Sequence, residues 1–228
     1  MFKASTGHLL PESDEMSLTR TKIVAAILTA GLLVAVAITA AVADFPPFEK
    51  EGTVDSASVC DSLGGGDGKV RDVKNALPSA AKYTFDDSDP ARSDPSQSTF
   101  TSSCFVSADD KISLSIRTEM IRAASADVWA KHVVANNEYV GAREAKAFGA
   151  GESALSGERF AAVYVPCVPD GKIPGGVRNL SVVARAMAQP SAEPEVAERS
   201  LKALLLDAAR HAHSRAKCDL PSKLPGDS

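Results

Sequence analysis

Aromatic side chains are scarce in this chain, making up 5% of its 228 residues with a single Trp. A core with so few rings has to rely on small aliphatic contacts, so a modest stability is expected. An excess of basic charge is also missing: 25 Lys and Arg stand against 29 Asp and Glu, for a net charge of −4. Without a basic stripe the chain lacks the electrostatic footprint of a nucleic-acid binder and the polybasic patch of a membrane-surface protein. Cysteine is absent before position 60, and the four that follow form no C-x-x-C knuckle. That absence disfavours a structural zinc site.

One stretch lacks charge altogether. Ile23 to Ala43 reads IVAAILTAGLLVAVAITAAVA, long enough as a helix to cover the roughly 30 Å of a bilayer's hydrocarbon core. Before it lies a polar, aperiodic tail, residues 1–22, in which Lys3, Arg20 and Lys22 balance Glu12, Asp14 and Glu15. Arg20 and Lys22 abut the apolar run, and no cation follows it before Lys50. The positive-inside bias therefore predicts a cytoplasmic tail, a span at 23–43 and an exported remainder. Ala41-Val42-Ala43 also fits a signal-peptidase site, so a secreted form released after Ala43 is the rival expectation. Gly31, Ala35, Thr39 and Ala43 share one face of the span at the spacing that lets two helices approach closely. An Ala-rich span produces the same spacing by accident.

After a linker at 44–55, the exported segment alternates between helical and strand patterns. Ser56 to Leu63 reads as a helical turn, cut off by the glycine run Gly64-Gly65-Gly66-Asp67-Gly68. Lys69 to Leu77 reads as a helix, and Asp86 to Gln97 as a mobile surface loop. Phe100 to Val106 and Ile112 to Met120 alternate with period two around Ser107 to Asp110 and predict a hairpin. Ser125 caps a helix running to about Asn136. Arg159 to Val165 and Arg178 to Met187 predict a second hairpin. Pro194 opens a last helix with Ala197, Leu201, Leu204, Leu205, Ala208 and Ala212 on its apolar face. The expected class is α+β: an antiparallel sheet of two hairpins covered by helices, in helix-hairpin-helix-hairpin-helix order, preceded by one transmembrane helix. The domain is expected over residues 56–220, with a disordered end at 221–228.

A Cys soon after the membrane signal (Cys60), a second inside a strand about forty residues on (Cys104), a hairpin, a helix and a terminal helix form a recognisable order. Over Val59 to Val134 this arrangement resembles small exported actinobacterial lipoprotein-like domains of unknown function. The resemblance implies an exported envelope protein with an α+β fold and supplies no catalytic residues. The chain departs from that pattern in having no lipid-attachment Cys at the end of its apolar run, and Val106 where a Trp would stand.

Chemical motifs are weak throughout. The glycine run precedes a helix as an anion cradle does, yet it lacks the Gly-Lys-Ser/Thr of a P-loop and reads as a turn. Gly151-Glu152-Ser153-Ala154-Leu155 nearly matches a nucleophile elbow, but Leu155 replaces the second glycine. His211 and His213 are two apart, which puts them on different faces of a helix, and His132 reads as a packing or surface residue. Asp86, Asp87, Asp89 and Asp94 lack the glycine and terminal Glu of an EF-hand loop. No metal or cofactor is expected.

The four cysteines all lie in the exported segment, the usage of oxidised pairs. Three connectivities are open. Cys60–Cys104 with Cys167–Cys218 is preferred, because each then staples an outer helical segment to the nearest hairpin. The functional expectation is a membrane-tethered, extracytoplasmic, non-catalytic binding or interaction module. Its partners would be the bilayer, through residues 23–43, and an envelope protein or small ligand, with no nucleic acid. The alternatives are an exported serine hydrolase using Ser153 with His132 or His211 as base, and an accessory subunit of a membrane complex. Protease added to intact spheroplasts should destroy the C-terminal domain and spare an N-terminal tag; a soluble domain beginning at Asp44 would show cleavage instead.

Overall fold

The computed structural model describes residues 51–66 and 68–226. The tail, the apolar run 23–43 and most of the linker lie outside the described residues. Within them, no helix is long and apolar enough to cross a membrane.

The first described segment is two 3-10 turns, Ser56–Ser58 and Asp61–Leu63, on either side of Cys60. A short helix, α1 (Val70–Asn75), follows. Three strands come next in a meander: β1 (Tyr83–Ser88), β2 (Thr101–Ala108) and β3 (Lys111–Arg122). Helix α2 (Ala126–Ala135) leads to 3-10 turns at Glu138–Val140 and Ala142–Glu144. A second meander then runs through β4 (Lys146–Ala147), β5 (Ser153–Ser156), β6 (Phe160–Val168) and β7 (Arg178–Ala186). The long helix α3 (Pro194–Arg215) closes the order.

All seven strands belong to one antiparallel sheet, ordered β1-β2-β3-β7-β6-β5-β4. The expected helix-hairpin-helix-hairpin-helix order, with its four-stranded sheet, is therefore corrected. Helix is followed by three strands, helix, four strands and helix, and strand predominates. The strands that periodicity misses are short or at the edges. β1 ends in Asp86-Asp87-Ser88, which reads as loop, but an edge strand tolerates exposed acids. β4 and β5 contain only two and four residues, too few to show a period.

Burial explains which strands alternate. β6 is buried along its whole length, FAAVYVPCV, because helices cover it on both sides. On one side, Ala161, Val163 and Val165 join Leu114, Ile116, Leu180, Val182 and Ala184 beneath Leu201, Leu204, Leu205, Ala208 and Ala212 of α3. On the other side, Phe160, Ala162 and Tyr164 pack beneath Trp129 and Val133 of α2. Helix α2 is started by Ser125, whose Oγ accepts from the Val128 amide. β3 and β7 sit under α3 but mostly beyond the reach of α2, so their outer face stays polar.

The β2–β3 turn is Asp109-Asp110, both at positive φ (47° and 63°), the left-handed pair that a two-residue hairpin requires. In the glycine run, Gly66 is sterically demanded: a Cβ there would lie 1.8 Å from the Ser56 carbonyl oxygen. Residues 89–97, expected to be a mobile loop, are tied to the end of α3 instead. The Arg92 amide donates to the Arg215 carbonyl (3.0 Å) and Arg215 Nη2 donates to the Asp89 carbonyl (2.9 Å). Arg92 is itself buried, with Nη2 donating to the Pro95 carbonyl.

Two disulfides join Cys60 to Cys104 and Cys167 to Cys218, the pairs that chain order favours. One holds the N-terminal turns to β2; the other holds the exit of α3 to β6, where the Asp219 and Leu220 amides also donate to the Cys167 carbonyl. Their separations of 44 and 51 residues correspond to about 3–4 kcal/mol each by the chain-entropy estimate. Such bridges belong to an oxidising, extracytoplasmic compartment. Replacing either pair by Ser should lower the unfolding free energy by about that amount in urea titration; a midpoint equal to wild type would show that the bridge adds nothing.

Candidate functional site

Of the residues singled out from sequence as chemical candidates, the structure brings His211 and Asp89 together and leaves Ser153 apart from both His132 and His211. Ser153 opens β5 and forms no hydrogen bond to a histidine among the described residues. His132 pairs with Asn136 one turn along α2 (3.0 Å). His211 Nε2 lies 2.9 Å from Asp89 Oδ1, and His213 Nε2 lies 2.9 Å from the Leu220 carbonyl. Gly151 has a structural reason: at φ 58° it lets the chain pass Tyr164, whose carbonyl would lie 2.2 Å from a Cβ there. The nucleophile-elbow resemblance is thus a close backbone approach at the entry to β5.

The acidic residues 86–94 are likewise spent singly. Asp87 accepts from the Asp61 and Ser62 amides and from the Ser62 hydroxyl, fixing the N-terminal turn. Asp89 is held by His211 and Arg215. Asp94 accepts from the Ser96 amide (2.8 Å), which draws its pKa below the ordinary carboxylate value. No group of three or more His, Cys, Asp or Glu that could hold a metal occurs among the described residues.

What the fold does bring together is the polar outer face of β2, β3 and β7. Period two puts Thr101 and Ser103 of β2, Arg117 and Glu119 of β3, and Ser181, Val183 and Arg185 of β7 on this one face. They line a groove of about 280 Å³, with Ser88 at its β1 end. Ser103 stands opposite Arg117, which in turn faces Val183; Thr101 stands opposite Glu119, which faces Ser181. Arg185 is one diagonal step from Arg117.

Helix α2 and the turn after it each hold one residue of the groove. Trp129 stacks on Tyr164 (ring centroids 5.0 Å apart, planes at 11°) and donates from Nε1 to Ser181 Oγ at 2.9 Å. Tyr164 accepts from the Ala124 amide at 2.9 Å, so the stack is anchored at both ends. Asn137, 1% exposed, donates from Nδ2 to the Val133 carbonyl and accepts on Oδ1 from Arg185 Nε. Burial is the main cause of a lowered Arg185 pKa; Tyr139 opposes the shift and the nearby Arg117 charge adds to it. Neither Arg117 nor Arg185 is ion-paired with a carboxylate among the described residues.

Other hollows are less suited to a ligand. One of about 830 Å³ is an open hollow along α1 in which Lys74 is already paired with Glu51 at 3.4 Å. A cleft of about 540 Å³ beside β5 contains Ser156, which donates to Glu198 Oε1 at 2.9 Å. Sequence periodicity finds the outward residues of β3, but the arrival of Arg185 beside Arg117 depends on a long-range strand pairing with no local signature.

Comparison with family models, with curated proteins and with solved structures finds no match for the chain.

Asn137→Ala should cost about 1–3 kcal/mol in denaturant titration, because it strands the buried Val133 carbonyl and frees Arg185. A loss below about 0.5 kcal/mol would show that Asn137 does not fix Arg185.

Proposed function

We propose that this chain is an exported, non-catalytic binding module of the cell envelope, with the polar groove across β2, β3 and β7 as its ligand face. One observation carries the reading: half of an otherwise covered sheet face is left open, and it is lined by hydroxyls and two arginines without ion pairs. A sheet face that served only as a solvated surface would not need one of its arginines oriented by a buried Asn, nor one of its hydroxyls held by a stacked Trp. Preformed, rigidly backed polar groups are what a binding site requires.

The compartment supports an envelope role, since both disulfides need an oxidising environment. Tethering rests on sequence: the uncharged run 23–43, with Arg20 and Lys22 before it, has the length and flanks of a membrane anchor. The resemblance to exported actinobacterial lipoprotein-like domains points the same way. A hydrolase reading gains nothing from Ser153, which forms no hydrogen bond to His132 or His211.

The full chain, immobilised in mild detergent, should retain components from a digest of the cell's own envelope polymers, read by mass spectrometry. Ser103→Trp, which fills the groove, should abolish that retention while leaving the melting temperature within a few degrees. Equal retention by the variant would move the ligand face elsewhere. Covalent labelling of Ser153 by a fluorophosphonate probe would overturn the non-catalytic reading.

A further inference from the structure

We infer that the groove takes an oxyanion, a carboxylate or phosphate group carried by a small polar ligand, between Arg117 and Arg185. The inference rests on the binding-module reading and names the chemistry of its ligand. In an antiparallel ladder, diagonal neighbours on one face lie about 7–8 Å apart, within joint reach of two guanidinium groups. Arg117 and Arg185 stand in that relation, since Arg117 faces Val183 two residues before Arg185.

Two like charges so placed repel each other, and no carboxylate among the described residues pairs with either. An anion between them would remove the repulsion and add charge-assisted hydrogen bonds. Arg185 is prepared for this role. Its Nε is bound to Asn137 Oδ1, which fixes the plane of the guanidinium and is the only hydrogen bond the Arg185 side chain makes among the described residues. Arg117 is exposed and free of hydrogen bonds there, so it is able to close on a ligand from the solvent side.

The neighbours define the rest of the ligand. Ser103 stands opposite Arg117, while the Ser181 hydroxyl already accepts from Trp129. Glu119 lies two residues along β3 from Arg117 and is unpaired by any cation among the described residues. A ligand with one oxyanion and a hydroxyl or amine donor beyond it satisfies both ends of the groove. A polyanion would meet Glu119 and be repelled.

The chain carries its own reporter, because Trp129 is its single Trp and is bonded to a groove hydroxyl. Trp emission of the full chain in mild detergent and anion-poor buffer is titrated with glucuronate, glucose 6-phosphate and glucose. A saturable change is expected with glucuronate or glucose 6-phosphate, at least tenfold weaker with glucose; which acid binds tighter separates carboxylate from phosphate. Arg117→Gln should weaken the acid at least tenfold without changing the melting temperature, and Arg185→Lys should weaken it several-fold by losing the planar fork. Glucose binding as tightly as the acids, with Arg117→Gln unaffected, would overturn the oxyanion site and leave groove binding intact. No saturable response to either acid would also overturn it, while retention of the envelope digest decides the binding-module reading separately.

Discussion

The nine-residue pairing of β3 with β7, from Leu114 opposite Ala186 to Arg122 opposite Arg178, is the constraint on which the rest of the structure depends. It joins two meanders that are each local in sequence and would otherwise be separate, marginal sheets with unpaired edges. On one face it creates the continuous apolar floor that α3 buries. On the other it brings Arg117 and Arg185, far apart in the chain, into one groove. Core and candidate site are thus two faces of the same ladder.

The disulfides reinforce the parts of the fold that this ladder does not reach. Cys60–Cys104 fastens the N-terminal turns to β2, and Cys167–Cys218 fastens the end of α3 to β6. Both lie on the helix-covered side, among small aliphatic residues. With few rings to supply buried area, covalent closure takes a larger share of stability than in an aromatic-rich core. The Trp129–Tyr164 stack is the exception, and its Trp holds the groove hydroxyl of Ser181, where rigidity matters more than area.

Local patterns were legible, and long-range pairings were not. Ser125 as a helix cap, the alternation along β2 and β3, and the apolar stripe of α3 are all readable because each is a short-range consequence of side-chain period. The Asp-rich end of β1 hides it, and the composition of residues 89–97 reads as mobile although Asp89 is bound by His211 and Arg215. The outward residues Arg117 and Glu119 could be placed on a polar face from sequence. That Arg185 would stand beside them follows only from β3–β7 register, which leaves no trace in either strand alone. The nearly unbroken apolar run of β6 against the alternation of β3 is a usable clue to which half of the outer face is covered.

Cross-strand nuclear Overhauser effects between β3 and β7 test the single-sheet account most directly. Contacts between Arg117 and Val183 and between Thr118 and Val182, in the full chain in detergent micelles, are the predicted result. Their absence, with the contacts within β2–β3 and β6–β7 intact, would mean two separate sheets and no shared groove.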